Sequence, residues 1–120
     1  MTRRPAPSGA ELSGYALGKP GAWRDEPWGG DHVAKVGPKI FAFLGDASIG
    51  LKCGADRDEA DELMAAHPGS VSVMAYIGRH GWNTIALDGA IDADELRELV
   101  DTSYELVVAK LPRKHRPPTD

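Results

Sequence analysis

The chain lacks several features by which proteins are often recognised. Cys53 is the single cysteine among 120 residues, which excludes an intramolecular disulfide and a metal cage built from cysteine thiolates. No apolar run approaches the roughly 18 residues of a membrane span, and no hydrophobic segment follows the charged start MTRRPAPSGAEL. We therefore expect a cytoplasmic protein with no membrane association. Its length suits one hydrophobic core and is too short for two.

Motifs of catalysis and of cofactor binding are also missing. The four histidines show no metal-ligand spacing, and the glycines form neither GxGxxG nor a P-loop. Ser103 lies inside a predicted helix and not in a GxSxG turn, so we expect its hydroxyl to bond back to the helix. The acidic runs 56–62 and 92–101 are interpreted as helix-start residues. We predict no catalytic residue, no metal site, no cofactor and no enzymatic activity.

Charge is unevenly distributed along the chain. The net charge is −4, and residues 46–105 hold four basic against thirteen acidic side chains, whereas residues 106–120 hold four basic against one acidic. A DNA-binding domain is normally positive where it meets phosphates, because neutralising them supplies most of its affinity. The overall balance argues mildly against a dedicated DNA-binding protein.

Periodicity and turn signals predict an α+β fold. Three helices are predicted. Two helical patterns follow capping residues, and a third contains a stripe of seven apolar residues from Leu96 to Leu111. Five β-rich runs lie between them: HVAKV, KIFAFL, SIGLKC, VSVMAYI and WNTIALD. The order α-β-β-β-α-β-β-α predicts a two-layer sandwich with an antiparallel sheet. We expect a disordered arm at residues 1–8, one domain at 9–111, a loop at GAWRDEPWGGD and an unstructured basic, proline-rich tail at 112–120.

A series of short motifs gives the chain a family resemblance. In order, they are KPGA, PWG, KVGPKIFA, LKC, HPG, GWNTIALDG and DTSYELV. With them, the chain from about Leu12 to Arg116 resembles the MmcQ/YjbR family of small bacterial proteins. The resemblance implies a secretion-chaperone-like arrangement, also likened to the CyaY-like (frataxin-type) sandwich. Members are commonly labelled DNA-binding, so the resemblance implies DNA as a partner.

Strand alternation predicts a sheet face that points away from the core. Lys52, Met74, Tyr76 and Trp82 are expected to share this face. Stacking rings beside a lysine suit single-stranded nucleic acid, and also a peptide or a second copy of the chain. The structural alternative is that these residues pack beneath a helix or loop. Lys35 and Lys39 flank the Gly-Pro turn, and strand register decides whether they extend the face.

The remaining candidate residues are basic and lie mainly near the end of the chain. A cluster of positive charge can hold a phosphate backbone, although such a tail is more often solvated. The leading hypothesis is a non-enzymatic DNA-binding or nucleic-acid-binding module, and the alternative is a protein- or peptide-interaction module acting through the open face. Monomer and homodimer both stay open. The candidate binding residues are Lys35, Lys39, Lys52, Tyr76, Arg79, Trp82, Lys110, Arg113, Lys114 and Arg116.

Overall fold

Three helices cover one face of a six-stranded antiparallel sheet in the computed structural model, which describes residues 7–117. The strand order in the sheet is β1-β2-β3-β4-β6-β5. The α+β class is confirmed, and the predicted elements occur in the predicted order, with one further strand, β1, after the first helix. The elements are α1 (Gly9–Leu17), β1 (Ala22–Asp25), β2 (His32–Val36), β3 (Lys39–Leu44), β4 (Ser48–Lys52), α2 (Arg57–Ala66), β5 (Val71–Val73), β6 (Trp82–Ala86) and α3 (Ala93–Ala109).

Two strands differ from the sequence prediction. β1 lies within the segment expected to be a loop, and it pairs with β2 through the register Trp23↔Lys35. Its glycine- and proline-rich surroundings indicated a loop, whereas the cross-strand pair stabilises an edge strand. β5 covers only the first three residues of the run VSVMAYI, because the chain leaves the sheet after Val73 and forms a 3₁₀ turn at Gly78–His80.

The helix starts follow the capping pattern in the sequence. Ser8 accepts a hydrogen bond from the Glu11 amide at 3.1 Å, and the Glu11 carboxylate accepts one from the Ser8 amide at 3.4 Å. Asp56 and Asp92 accept in the same way from the amides three residues later. Both acidic runs therefore begin helices, as predicted, and their carboxylates satisfy amides at the positive ends of the helix dipoles.

The core lies between the helices and one face of the sheet. The predicted stripe of α3 is confirmed: Leu96, Val100 and Val107 are buried in one cluster with Phe41 and Ile85 from the strands. Each fully buried aliphatic side chain stabilises the fold by about 1.5–3 kcal/mol relative to its exposed state. Among residues 7–117, no helix is both long enough and apolar enough to cross a membrane.

A bulge in β3 decides which side chains reach the other face. The register Ala34↔Ala42 is followed by Lys35↔Ile40, so Phe41 is an extra residue on β3. Phe41 and Ala42 both belong to the helix-side core, and Phe43 is thereby directed to the helix-free face. This bulge places an aromatic ring at the centre of the surface described below.

Ser103 closes the gap that the bulge leaves between β3 and β4. Those strands pair only at Ala42↔Leu51 and Phe43↔Gly50. The buried Ser103 hydroxyl donates to the Phe41 carbonyl at 2.6 Å and accepts from the Lys52 amide at 2.9 Å. The expectation that Ser103 bonds back to its own helix is wrong, because the two buried backbone groups of the sheet are its partners.

The described part of the C-terminal segment is ordered, unlike the predicted unstructured tail. Residues Arg113–His115 form a 3₁₀ turn. Arg116 then folds back and donates to the carbonyls of Leu111 at 2.9 Å and Ala109 at 3.0 Å. These bonds satisfy carbonyls at the end of the chain's last helix. Most of the predicted N-terminal arm, residues 1–6, and the last three residues of the tail lie outside the described residues.

Candidate functional site

An open groove of about 750 Å³ lies on the helix-free face of the sheet. Its position follows from strand alternation, because Gly50 and Phe43 lie between neighbours that face the core. We use the term groove for the surface formed by Trp28 and Asp31 of the β1–β2 loop, His32 of β2, Phe43, Leu44 and Gly45, Ser48 and Gly50 of β4, Thr84 of β6, and residues 74–77.

Gly50 gives the groove its depth. A Cβ at this position would overlap the Met74 methyl group and lie 3.2 Å from the Phe43 Cβ. A glycine inside a strand often marks such a close approach of another group. The glycine in the middle of the run SIGLKC is a sequence signal for such a close approach, but it was not among the features used for prediction.

One side of the groove is a row of aromatic rings. Trp28 is 63% exposed and stacks on Phe43, with 6.3 Å between ring centroids and 10° between planes. Phe43 in turn meets Trp82 edge-on at 5.6 Å. Offset and edge-to-face contacts of this kind hold rings in place. The β1–β2 loop therefore presents Trp28 as a fixed but accessible apolar surface.

Tyr76 forms the opposite rim and is the most exposed large hydrophobic residue among the described residues. It is 99% exposed, and its φ of 66° is the single positive φ among the described non-glycine residues. The Ile77 amide donates to the Ala75 carbonyl at 2.7 Å, which makes Tyr76 the centre of a γ-turn with positive φ, the rarer and strained form. Strain at a fully exposed aromatic residue is a ground for a hypothesis of function, because no internal packing explains it.

Acidic side chains dominate the charge in and beside the groove. Asp31 and His32 are the titratable lining residues on the β1–β2 side, and Glu26 Oε1 lies 3.7 Å from His32 Nε2. Among residues 7–117, no lysine or arginine lines the groove. A surface of this composition does not match a polyphosphate backbone.

Two predicted members of the open face are not open. Lys52 and Trp82 are register partners on this face, but they are only 7% and 9% exposed. The Lys52 ammonium donates to the His80 carbonyl at 2.5 Å, so the chain around the 3₁₀ turn lies over this end of the sheet. Burial, together with the Lys110 ammonium, lowers the pKa of Lys52. For these two residues the structural alternative, packing beneath a loop, is the one observed, because the chain after β5 turns back over them.

Lys35 lies on the same face near the sheet edge, where two residues of β1 already hold it. Its ammonium is 2.7 Å from the Asp25 carboxylate and 5.1 Å from the centre of the Trp23 ring. The hydrogen bond from Lys35 lowers the pKa of Asp25. This cation is therefore satisfied within the protein.

Five of the other basic candidates lie at the end of the molecule formed by the β2–β3 turn and the C-terminal 3₁₀ turn. A Cβ on Gly37 would lie 3.2 Å from the His115 Cβ, which shows how closely the two turns approach. We call this surface the basic end; its exposed residues are Lys39, Lys110, Arg113, Lys114 and Arg116. Arg79 is exposed in the other 3₁₀ turn, where it donates to His80 Nε2 at 3.2 Å. The sequence candidates are thus divided between the helix-free face, the 3₁₀ turn Gly78–His80 and the basic end.

Arg57 supports the rim that carries Tyr76, and the sequence analysis missed it. Its guanidinium donates to the carbonyls of Gly78 at 2.7 Å and Trp82 at 3.1 Å, and to the Asn83 side chain at 2.5 Å. It also bonds Asp61 one turn along α2. The planar, many-donor guanidinium suits this task. In the sequence it looked like one more charge in a helix-start run.

Cys53 has the properties of an inert thiol. Its Sγ lies 3.4 Å from the Leu51 carbonyl, and burial raises the pKa of the thiol to about 11. Because the thiolate is the reactive form, we expect iodoacetamide at pH 8 to alkylate the folded protein about 100-fold more slowly than an ordinary cysteine. Mass spectrometry of timed samples measures this rate. The same protein in urea is the control, and equal rates in both states would contradict the prediction.

Comparison with known proteins agrees with the fold described above. The YjbR family model matches residues 17–106. The uncharacterised YjbR protein of Escherichia coli K12 is 28% identical over 113 residues, covering 89% of this chain and 92% of that protein. The crystal structure of Deinococcus radiodurans DR2400, which carries a DUF419 domain, matches with a TM-score of 0.79 and 26% identity over 95% of this chain and 88% of that one. A Pseudomonas syringae protein of 21% identity matches with a TM-score of 0.64 over 81% of this chain and 96% of its own, which shows a shared fold. This chain belongs to the YjbR family.

Proposed function

We propose that the protein is a non-enzymatic binding module whose groove takes up an apolar segment of a protein or peptide partner. The observation that carries this proposal is Tyr76, which is fully exposed on a strained γ-turn across the groove from the exposed Trp28. Tyrosine and tryptophan are the residues that most often dominate the energy of protein interfaces. Their rings provide large apolar surfaces with little loss of side-chain entropy on binding.

The shape and composition of the groove support the same function. Its floor combines Phe43, Gly50 and the Met74 side chain, and Met can adapt its shape to different apolar partners. An exposed apolar patch rimmed by polar groups is typical of an interaction site. The strands beneath it form a rigid base, and the exposed residues come from the loops at its sides.

Selection from a peptide library displayed on phage tests this function. We expect peptides selected on the purified protein to contain two or more large apolar residues and to lose at least about tenfold in affinity when Trp28→Ala or Tyr76→Ala is introduced. Trp23→Ala is the matched control, because that ring is half-exposed on the same face but does not line the groove. Selected peptides that bind all three variants as tightly as the unchanged protein would contradict the proposal.

A second candidate function, nucleic-acid binding, is favoured by the basic end. Five exposed basic residues belong to the β2–β3 turn, the end of α3 and the C-terminal 3₁₀ turn, and these two turns pack near each other. Positive side chains gathered on one surface can neutralise several phosphates. The DNA-binding label implied by the family resemblance adds support. This function would use a different surface from the groove.

Fluorescence anisotropy with single- and double-stranded DNA tests the second candidate. If three phosphates are neutralised, we expect the affinity to fall about 40-fold between 50 and 200 mM salt. The triple variant Lys39→Glu, Lys110→Glu, Lys114→Glu is expected to abolish binding, whereas Tyr76→Ala leaves it unchanged. Absence of binding at 50 mM salt, or binding that the triple variant retains, would contradict a role for the basic end.

A further inference from the structure

We infer that the groove selects a cationic partner, namely an extended apolar segment that carries a lysine or arginine beside its hydrophobic residues. This inference rests on the proposed function and specifies the chemistry of the segment. It follows from the charge of the lining, from the aromatic rings at the rims, and from the way this protein already binds its own lysines.

The charge of the groove is unbalanced toward negative. Asp31 lines it, and Glu26 lies beside His32, which also lines it. Within the described part of the chain, no ion pair or hydrogen bond involves the Asp31 side chain, and the lysines Lys35 and Lys52 on this face are already engaged. Lys35 is held by Asp25, and Lys52 is buried beneath the His80 carbonyl. A ligand carboxylate would therefore meet repulsion here, whereas an ammonium or guanidinium would gain an attractive partner.

The protein contains an internal example of the same recognition. At the sheet edge, Trp23 and Asp25 hold the Lys35 ammonium between an indole face and a carboxylate. In the β1–β2 loop, at the margin of the groove, Trp28 and Asp31 again combine an indole with a carboxylate; they follow Trp23 and Asp25 by five and six residues. No lysine or arginine among residues 7–117 lies over the Trp28 ring. The second pair therefore offers to a partner the type of contact that the first pair makes internally.

The Tyr76 ring offers a second aromatic surface. It can contact the same cation, or an aliphatic residue next to that cation in the partner. A cation over an aromatic face gains about 0.5–1 kcal/mol at exposed sites and more where water is displaced. The long aliphatic stems of lysine and arginine also pack well on apolar surfaces such as the Phe43 and Met74 floor. A segment of mixed apolar and cationic residues thus matches both the floor and the rim.

Three synthetic hexapeptides test the inference, in which leucine alternates with lysine, with serine or with glutamate. Isothermal titration calorimetry at 150 mM salt is expected to show the lysine peptide binding about tenfold more tightly than the serine peptide, and the glutamate peptide binding most weakly. Asp31→Asn is expected to reduce the preference for lysine over serine to about twofold. Asp58→Asn is the matched control, because it removes an exposed carboxylate from α2, on the other side of the sheet.

The outcomes separate this inference from the proposed function. If the serine peptide binds as tightly as the lysine peptide and both lose affinity in Tyr76→Ala, the cation preference is wrong and the groove remains a binding site. If no peptide distinguishes the unchanged protein from Trp28→Ala and Tyr76→Ala, the proposed function fails as well. Sedimentation that shows a dimer dispersed by Tyr76→Ala would assign the groove to a second copy of the chain and overturn the inference.

Discussion

Replacing Gly81 with alanine is expected to remove about 3 kcal/mol or more of the free energy of unfolding. Gly81 has a φ of 91°, which L-residues rarely adopt. A Cβ there would overlap the Gly54 carbonyl oxygen and lie 3.0 Å from the Asp56 carbonyl oxygen. Both are backbone atoms, so relief requires movement of the loop before α2. That loop is also tied to Gly81 by the bond from the Cys53 amide to the Gly81 carbonyl, at 2.7 Å.

Gly89→Ala is the matched control for this prediction. Gly89 has a similar φ of 89°, but a Cβ there would have no heavy atom within 4 Å. Gly89→Ala should lower the free energy of unfolding by about 1 kcal/mol, because only the backbone conformation is strained. Urea denaturation of both variants, followed by circular dichroism, measures the difference. Equal losses in the two variants would show that the close approach of the loop to Gly81 contributes nothing to stability.

Ser103→Ala is expected to lower the free energy of unfolding by about 2–4 kcal/mol, because it leaves two buried backbone groups without their partner. These groups are the Phe41 carbonyl and the Lys52 amide, which the hydroxyl bridges where the bulge interrupts the pairing of β3 and β4. We also expect faster hydrogen exchange of the Lys52 amide, since its acceptor is gone. Urea denaturation measures the free energy of unfolding, and NMR measures the exchange rate of the Lys52 amide.

Thr102→Ala is the control on the same helix. Its side chain is exposed and one residue away, so its removal should change the free energy of unfolding by no more than about 0.5 kcal/mol. A Ser103→Ala variant as stable as Thr102→Ala would mean that water or a small shift of the strands replaces the hydroxyl. The bulge would then not depend on α3.

Local chemistry made the helices and most strands predictable from the sequence. Each helix start is fixed by a side chain within three residues, and the seam of α3 is fixed by its own periodicity. The β3 bulge and strand β1 were not predictable in this way. They depend on pairing between distant segments, such as the register of Lys35 against both Trp23 and Ile40, which no local pattern specifies.

The candidate site was predicted in part, and for the same reason. Alternation correctly placed Lys52 and Trp82 on the helix-free face, but it could not show that the segment after β5 covers them. Trp28 and Phe43 were not among the predicted binding residues. One lies in a loop, and the other reaches this face through the bulge. Tyr76 was selected for its ring, while its strained and fully exposed conformation became evident only in three dimensions.

The central claim is that partners bind in the groove, and mapping of backbone amides by two-dimensional NMR tests it most directly. The leucine–lysine hexapeptide should be titrated into labelled protein at 150 mM salt. We expect the largest shift changes at Gly50, Tyr76 and Thr84, which surround the groove, and little change at the C-terminal 3₁₀ turn Arg113–His115. Shift changes confined to that turn, or spread over residues outside the groove, would contradict the claim.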